Sequence, residues 1–128
     1  MAAISTSTIT ELGGKYILDR DCKGNSATAN VTTATGVIYI VEIDNEANSS
    51  SVYLKIRDAT SASPSISTDN GTGTPHYSFI APAFTKVCYT IPGGAEFATG
   101  LSMWCTTSSA IGTSTNASNP VIVKLITT

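Results

Sequence analysis

Any chemistry done by this chain has to come from a short inventory. His76 is the single histidine, and it follows Pro75 in a stretch of Gly, Thr and Pro. A Ser–His–acid relay needs a nucleophile on a strained strand-to-helix turn, marked by G-x-S-x-G. That motif is absent, and 16 scattered serines give no reason to single one out. His76 therefore reads as a surface or strand-edge residue. The carboxylates offer two close pairs, Asp19 with Asp21 and Asp44 with Glu46, besides isolated Asp58, Asp69 and Glu96. A glycosidase pair must flank a groove, commonly one lined by aromatics. One Trp, five Tyr and three Phe, mostly at strand-like alternating positions, do not promise that groove. The close pairs could set oxygens near Ca²⁺, which takes roughly six to eight oxygen ligands. Neither pair has EF-hand spacing, so both read as solvated turn residues. Gly71-x-Gly73 lacks the lysine and the strand-to-helix setting of a phosphate cradle. The inventory argues against an enzyme, a metal site and a cofactor.

The thiols add little. Cys22, Cys88 and Cys105 are odd in number and show no C-x-x-C spacing, so neither a disulfide framework nor a zinc site is indicated. Cys88 and Cys105 alternate with apolar neighbours and are expected as small, partly buried core residues. A Cys88–Cys105 bridge is the alternative, subject to a Cα separation that sequence does not supply. The first ten residues have no basic or apolar stretch of the secretory kind. The chain is thus expected to fold with reduced thiols in a cytoplasm. No apolar run approaches the roughly 20 residues of a membrane span. Four Asn-x-Ser/Thr matches, at Asn30, Asn48, Asn70 and Asn116, are read as accidents of composition. Seven Lys and Arg, placed singly in a chain of net charge −2, argue against nucleic acid and anionic membrane as partners.

The elements that position these residues follow from composition and alternation. A length of 128 residues allows one domain. Charged residues make up 12% of it, about half the usual share. Polarity comes instead from 16 Ser and 20 Thr. Abundant Thr and other β-branched residues, with few Glu, Lys and Leu, disfavour helices and favour strands. Strand-length runs are predicted at Lys15–Leu18, Ala27–Thr33, Gly36–Ile43, Val52–Arg57, Tyr77–Ile80, Lys86–Ile91, Leu101–Thr106 and Val121–Ile126. In the third, Val37, Tyr39, Val41 and Ile43 share one face and Ile38, Ile40 and Glu42 the other, which marks a central strand. In the fourth, Val52, Leu54 and Ile56 alternate with Tyr53, Lys55 and Arg57. Asp44 to Asn48 reads as a polar hairpin loop. Ala59–Pro75 and Ser108–Pro120 are long irregular loops of a length that is commonly functional. The expected fold is all-β: a single antiparallel β-sandwich, jelly-roll or immunoglobulin-like, of about eight strands over residues 15–128. Residues 1–14 are expected to form a flexible N-terminal arm.

On the Leu101–Thr106 run, Trp104 points away from Leu101, Met103 and Cys105. It is therefore expected on the outer face with Tyr53. Such aromatics suit a pyranose stacking platform or a protein contact, in which Trp and Tyr are enriched. Tyr53 and Trp104 are the candidate interface residues, together with Ile4 and Thr8 of the arm, which could order on a partner. Exposed strand edges with few Lys or Pro to blunt them predict a homo-oligomer, a trimer favoured over a dimer.

Across Val52–Thr107 the chain reads V-Y-L-K-I-R-D, then G-T-P-H-Y-S-F-I-A-P-A, then Y-T-I-P-G-G-A-E-F-A-T-G-L-S-M-W-C-T-T. This segment resembles small structural proteins of tailed bacteriophages. Pro92–Leu101 is its most distinctive piece. The resemblance covers the central and C-terminal two-thirds of the chain. It implies a virion component made in a host cytoplasm and sited on the capsid surface. Its role would be head decoration, or cement, with the major capsid protein as partner. A neck or tail-fibre module is the alternative, and a carbohydrate-binding sandwich the second.

Overall fold

The structure is a computed structural model and describes residues 14–29, 35–68 and 70–128. Seven strands occur there and no helix: β1 (Lys15–Asp19), β2 (Gly36–Asp44), β3 (Val52–Arg57), β4 (Tyr77–Ala81), β5 (Lys86–Phe97), β6 (Ser102–Thr106) and β7 (Ile122–Thr127). Every pairing is antiparallel. One sheet has the order β1-β7-β2-β5 and the other β4-β3-β6. Ile38, Val41, Ile43, Val123 and Leu125 of the first meet Val52, Leu54, Ile56, Met103 and Cys105 of the second in one core. The architecture is a β-sandwich. Of the expected Ala27–Thr33 strand, Thr28 forms an isolated antiparallel bridge with Met103 at the free side of β6. Residues 30–34 lie outside the described residues, as do most of the arm and its candidates Ile4 and Thr8.

Alternation places β3 as expected, but three readings change. β2 carries a register shift between Ile38 and Ile40: Ile40 pairs with Thr90, whereas Ile38 pairs with Ala95. Ile38 is therefore buried together with Val41 and Ile43, across the parity that separated them in sequence. On β5 the same irregularity takes up Ile91–Gly94, so the strand runs through Pro92 to Phe97 instead of stopping at Ile91. Proline is tolerated because β5 is an edge strand and the site is a bulge. Gly94 has φ +79°, and a Cβ there would lie 2.0 Å from Val37 Cγ1. Finally, β2 and β3 belong to different sheets, so Asp44–Asn48 opens an arch between layers and not a hairpin. Both connections are polar, which is why composition does not separate them.

The open side between β4 and β5 is latched by two tyrosines. Tyr77 on β4 donates its hydroxyl to the Glu96 carbonyl on β5 at 2.8 Å. Tyr89 on β5 donates to the Ile80 carbonyl on β4. Phe79 packs against Tyr89 with ring centroids 5.3 Å apart and the rings tilted by 47°. One carbonyl on each of these edge strands is thus already taken.

Candidate functional site

The two long loops are not free. Within residues 59–75, Ser63 N–H donates to the Thr72 carbonyl and Gly71 N–H to the Thr68 carbonyl. Arg57 Nη1 ties the stretch to β3 through the Thr74 carbonyl at 2.7 Å. The second loop folds over the outer face of the three-stranded sheet. There Lys55 Nζ donates to the Ala110 carbonyl (2.6 Å) and the Thr113 hydroxyl (2.9 Å). Burial pushes the Lys55 pKa down. The loops also touch each other, because a Cβ on Gly112 would sit 2.6 Å from Ser67 Cβ. Together they form one cap, from which Ile66 and Ile111 project as exposed apolar side chains.

Burial corrects the reading of Trp104. The residue does lie on the outer face, opposite Lys55 in the ladder, but it is fully buried. Its indole N–H has no partner among the described residues, so its contribution is packing. Tyr53 is half-buried and pairs with Ile80 on one side and Thr106 on the other. No open Tyr53–Trp104 platform exists. Cys88 is also corrected: it is exposed, whereas Cys22 and Cys105 are buried, and all three are free thiols. Burial pushes the Cys22 thiol well up and Cys105 to about 12.

Two features of the sandwich ends were not read from sequence. At one end, residues 44–51, 81–85 and 117–120 converge on buried Asn45 and Asn48. Asn45 Nδ2 donates to the carbonyls of Ser50 (2.9 Å), Pro82 (3.1 Å) and Ala81 (3.2 Å). Asn48 Nδ2 donates to Asn45 Oδ1 (3.0 Å) and to the Asn119 carbonyl (3.1 Å). Asn48, one of the four Asn-x-Ser/Thr positions, thus has its amide committed inside the protein. The clamp holds the β4–β5 turn with Phe84 at φ +57°, its N–H on the Asn48 carbonyl. Phe84 is 66% exposed. An aromatic in the left-handed region is uncommon, and local strain of this kind tends to cluster where chains bind or switch. The only sequence signal was an aromatic inside a Pro-containing turn.

At the opposite end lies a groove of about 600 Å³. Val37, Tyr77 and Phe97 supply apolar wall, and Thr35, Asp58 and Glu96 polar rim. Asp58 accepts N–H bonds from Ala98 and Thr99 (2.8 Å each) and from Gly100 (3.3 Å). Burial raises its pKa, but these three donors and nearby His76 outweigh that and hold it below the ordinary value. His76 is exposed, and its Nδ1 accepts the Asp58 N–H at 2.8 Å. Asp58 is consumed as a turn clamp, so the groove has no carboxylate pair for acid–base work. The sequence pairs are turn caps as well: Asp19 Oδ1 accepts the Asp21 N–H, and Asp44 Oδ1 the Glu46 N–H. Among the described residues, no cluster holds three potential metal ligands. No family model, curated protein or solved structure matches the chain.

Proposed function

We propose that the protein is a non-enzymatic virion structural component that decorates the capsid surface and bridges major capsid protein subunits. The observation that carries the binding role is the fused cap. Two long loops made rigid by their own bonds display Ile66 and Ile111 at little ordering cost on association. The resemblance of Val52–Thr107 to tailed-phage structural proteins supplies the partner class, and the cap loops lie within or beside that segment. Each copy adds an interface present only in the expanded shell, and about 800 Å² per partner suffices when many copies act together.

The sandwich is of jelly-roll type in this reading. In a jelly roll the first strand neighbours the last, the last neighbours the third, and the second lies beside the seventh. β1-β7-β2-β5 and β4-β3-β6 follow that order if the segment bridging through Thr28 stands second. An immunoglobulin-like order would instead put the last strand beside β6. Jelly rolls recur in viral capsid and lectin domains. The lectin-type alternative loses its stacking platform because Trp104 is buried.

A reconstruction of the virion tests the assignment. Copies between capsomers, displaced by Ile66→Asp with Ile111→Asp, are the expected result. Copies confined to the neck or fibres transfer the protein to a neck or tail-fibre role, and absence from the particle overturns both.

A further inference from the structure

We propose that Phe84 of one copy seats in the Val37–Tyr77–Phe97 groove of a second copy, so that the chain associates head to tail. The two features lie at opposite ends of the sandwich. The Phe84 turn is bonded to the arch that follows Asp44, whereas the groove is lined where β2 begins, at Gly36. The nine residues of β2 separate them by about 30 Å. A contact between opposite ends is heterologous. It closes into a ring, such as a trimer, or continues as a filament, according to the rotation between copies.

The occupant follows from the chemistry of both ends. Phe84 exposes an aromatic ring on a backbone held in the left-handed region by two buried asparagines. That is a pre-organised anchor with little freedom left to lose on docking. Pro82, Ala83 and Thr85 around it carry no charge, so the turn asks for an apolar recess. The groove offers an open one, lined by Val37, Tyr77, Ala98 and the buried Phe97, with Glu96 exposed at its rim where it stays in water. Its Asp58 carboxylate is already satisfied by three backbone donors, so an apolar guest leaves that acid paired. The cap that serves the proposed capsid role is not part of this contact, so the two readings stand or fall separately.

Sedimentation velocity of the purified chain, from about 10 μM to about 1 mM, reads the association. The wild-type chain is expected to grow with concentration. Phe84→Asn removes the ring and places there a residue that tolerates positive φ. It should raise the dissociation constant at least about tenfold while the melting temperature stays level or rises. Ala98→Trp fills the groove from an exposed position and should have the same effect. Thr35→Trp replaces it if the Asp58 turn is disturbed. Mixing Phe84→Asn with Ala98→Trp leaves one good anchor and one good groove, so the mixture should form heterodimers and stop there. A wild-type chain that stays monomeric, a Phe84→Asn chain that assembles like wild type, or a folded mixture without dimer each overturns the proposal.

Discussion

Asn45→Ala is the sharpest test of the clamp beneath Phe84. Asn45 is fully buried, and its amide serves three carbonyls while its Oδ1 serves Asn48. Truncation affects these partners unequally. Ser50 is exposed and its carbonyl can turn to water, but the Ala81 carbonyl and the Asn48 amide belong to buried residues. The Ala81 carbonyl and one N–H of the Asn48 amide, whose bond to Asn119 remains, each lose a buried partner at about 1–3 kcal/mol, which with local collapse gives a loss of about 3 kcal/mol. For a domain of this size that lowers the melting temperature by about 10 °C. Thermal and urea unfolding followed by circular dichroism reads it directly. Asn119→Ala is the control, because its side chain gives up only one bond, to the exposed Ala47 carbonyl, and should cost under about 1 kcal/mol. Asn45→Asp separates packing from hydrogen bonding. A buried carboxylate facing three carbonyls has its pKa raised, so the variant's stability should be better kept in acid and fall as pH rises through that pKa. If Asn45→Ala loses under about 1 kcal/mol, or matches Asn119→Ala, the clamp is not what holds this end together.

Gly94→Ala should destabilise by about 2 kcal/mol or more, because its Cβ would meet Val37. Gly93→Ala, with nothing within 4 Å, should lose only about 1 kcal/mol in parallel urea titrations. Cys105 is raised from 9.0 to about 12 by burial, so its contribution is complete below pH 9 and lost as pH climbs toward 12. Alkaline unfolding should therefore set in across that window and soften in a Cys22→Ala, Cys105→Ala variant, while iodoacetamide modifies only Cys88 in the native protein. Trp104 should emit in the blue and resist acrylamide. Lys55→Met removes the Nζ bonds to the Ala110 carbonyl and the Thr113 hydroxyl that tie this loop to β3, and it should raise both quenching and amide exchange over residues 108–113.

Much of the fold was legible because period-two alternation reports burial directly. Val52, Leu54 and Ile56 face the core as read, and Val87, Tyr89 and Ile91 pack against it. The reading failed wherever a non-local event reset the pattern. A bulge shifted Ile38 onto the same face as Val41, and no residue in β2 announces it. Trp104 was placed on the correct face, yet it is fully buried there, beside the Lys55 that residues 110 and 113 hold, and that hydroxyl-rich loop has no period to interpret. Cys88 and Cys105 look alike in local context. One points outward from an edge strand, and the other inward from a strand bracketed by β3 and the Thr28 bridge. The site suffered most. Asn45 and Asn48 differ from ordinary loop asparagines only in what lies above them, and Phe84 was hidden among aromatics that pack.

The position of β7 has a consequence for how the molecule comes into being. Ile122–Thr127 is the last strand in sequence, yet it lies between β1 and β2 and bonds to both. While those six residues are still inside the ribosome, the larger sheet is split, and β1 lacks its partner among the described strands. The half built of β3, β4 and β6 can collapse early, but the layer that should cover it stays incomplete until synthesis has passed Thr127. The larger sheet therefore forms only through long-range pairing, the kind of contact that slows folding. Until β7 has emerged, nascent chains expose unpaired edges, a window in which chaperone capture and chain-to-chain mispairing compete with the native register.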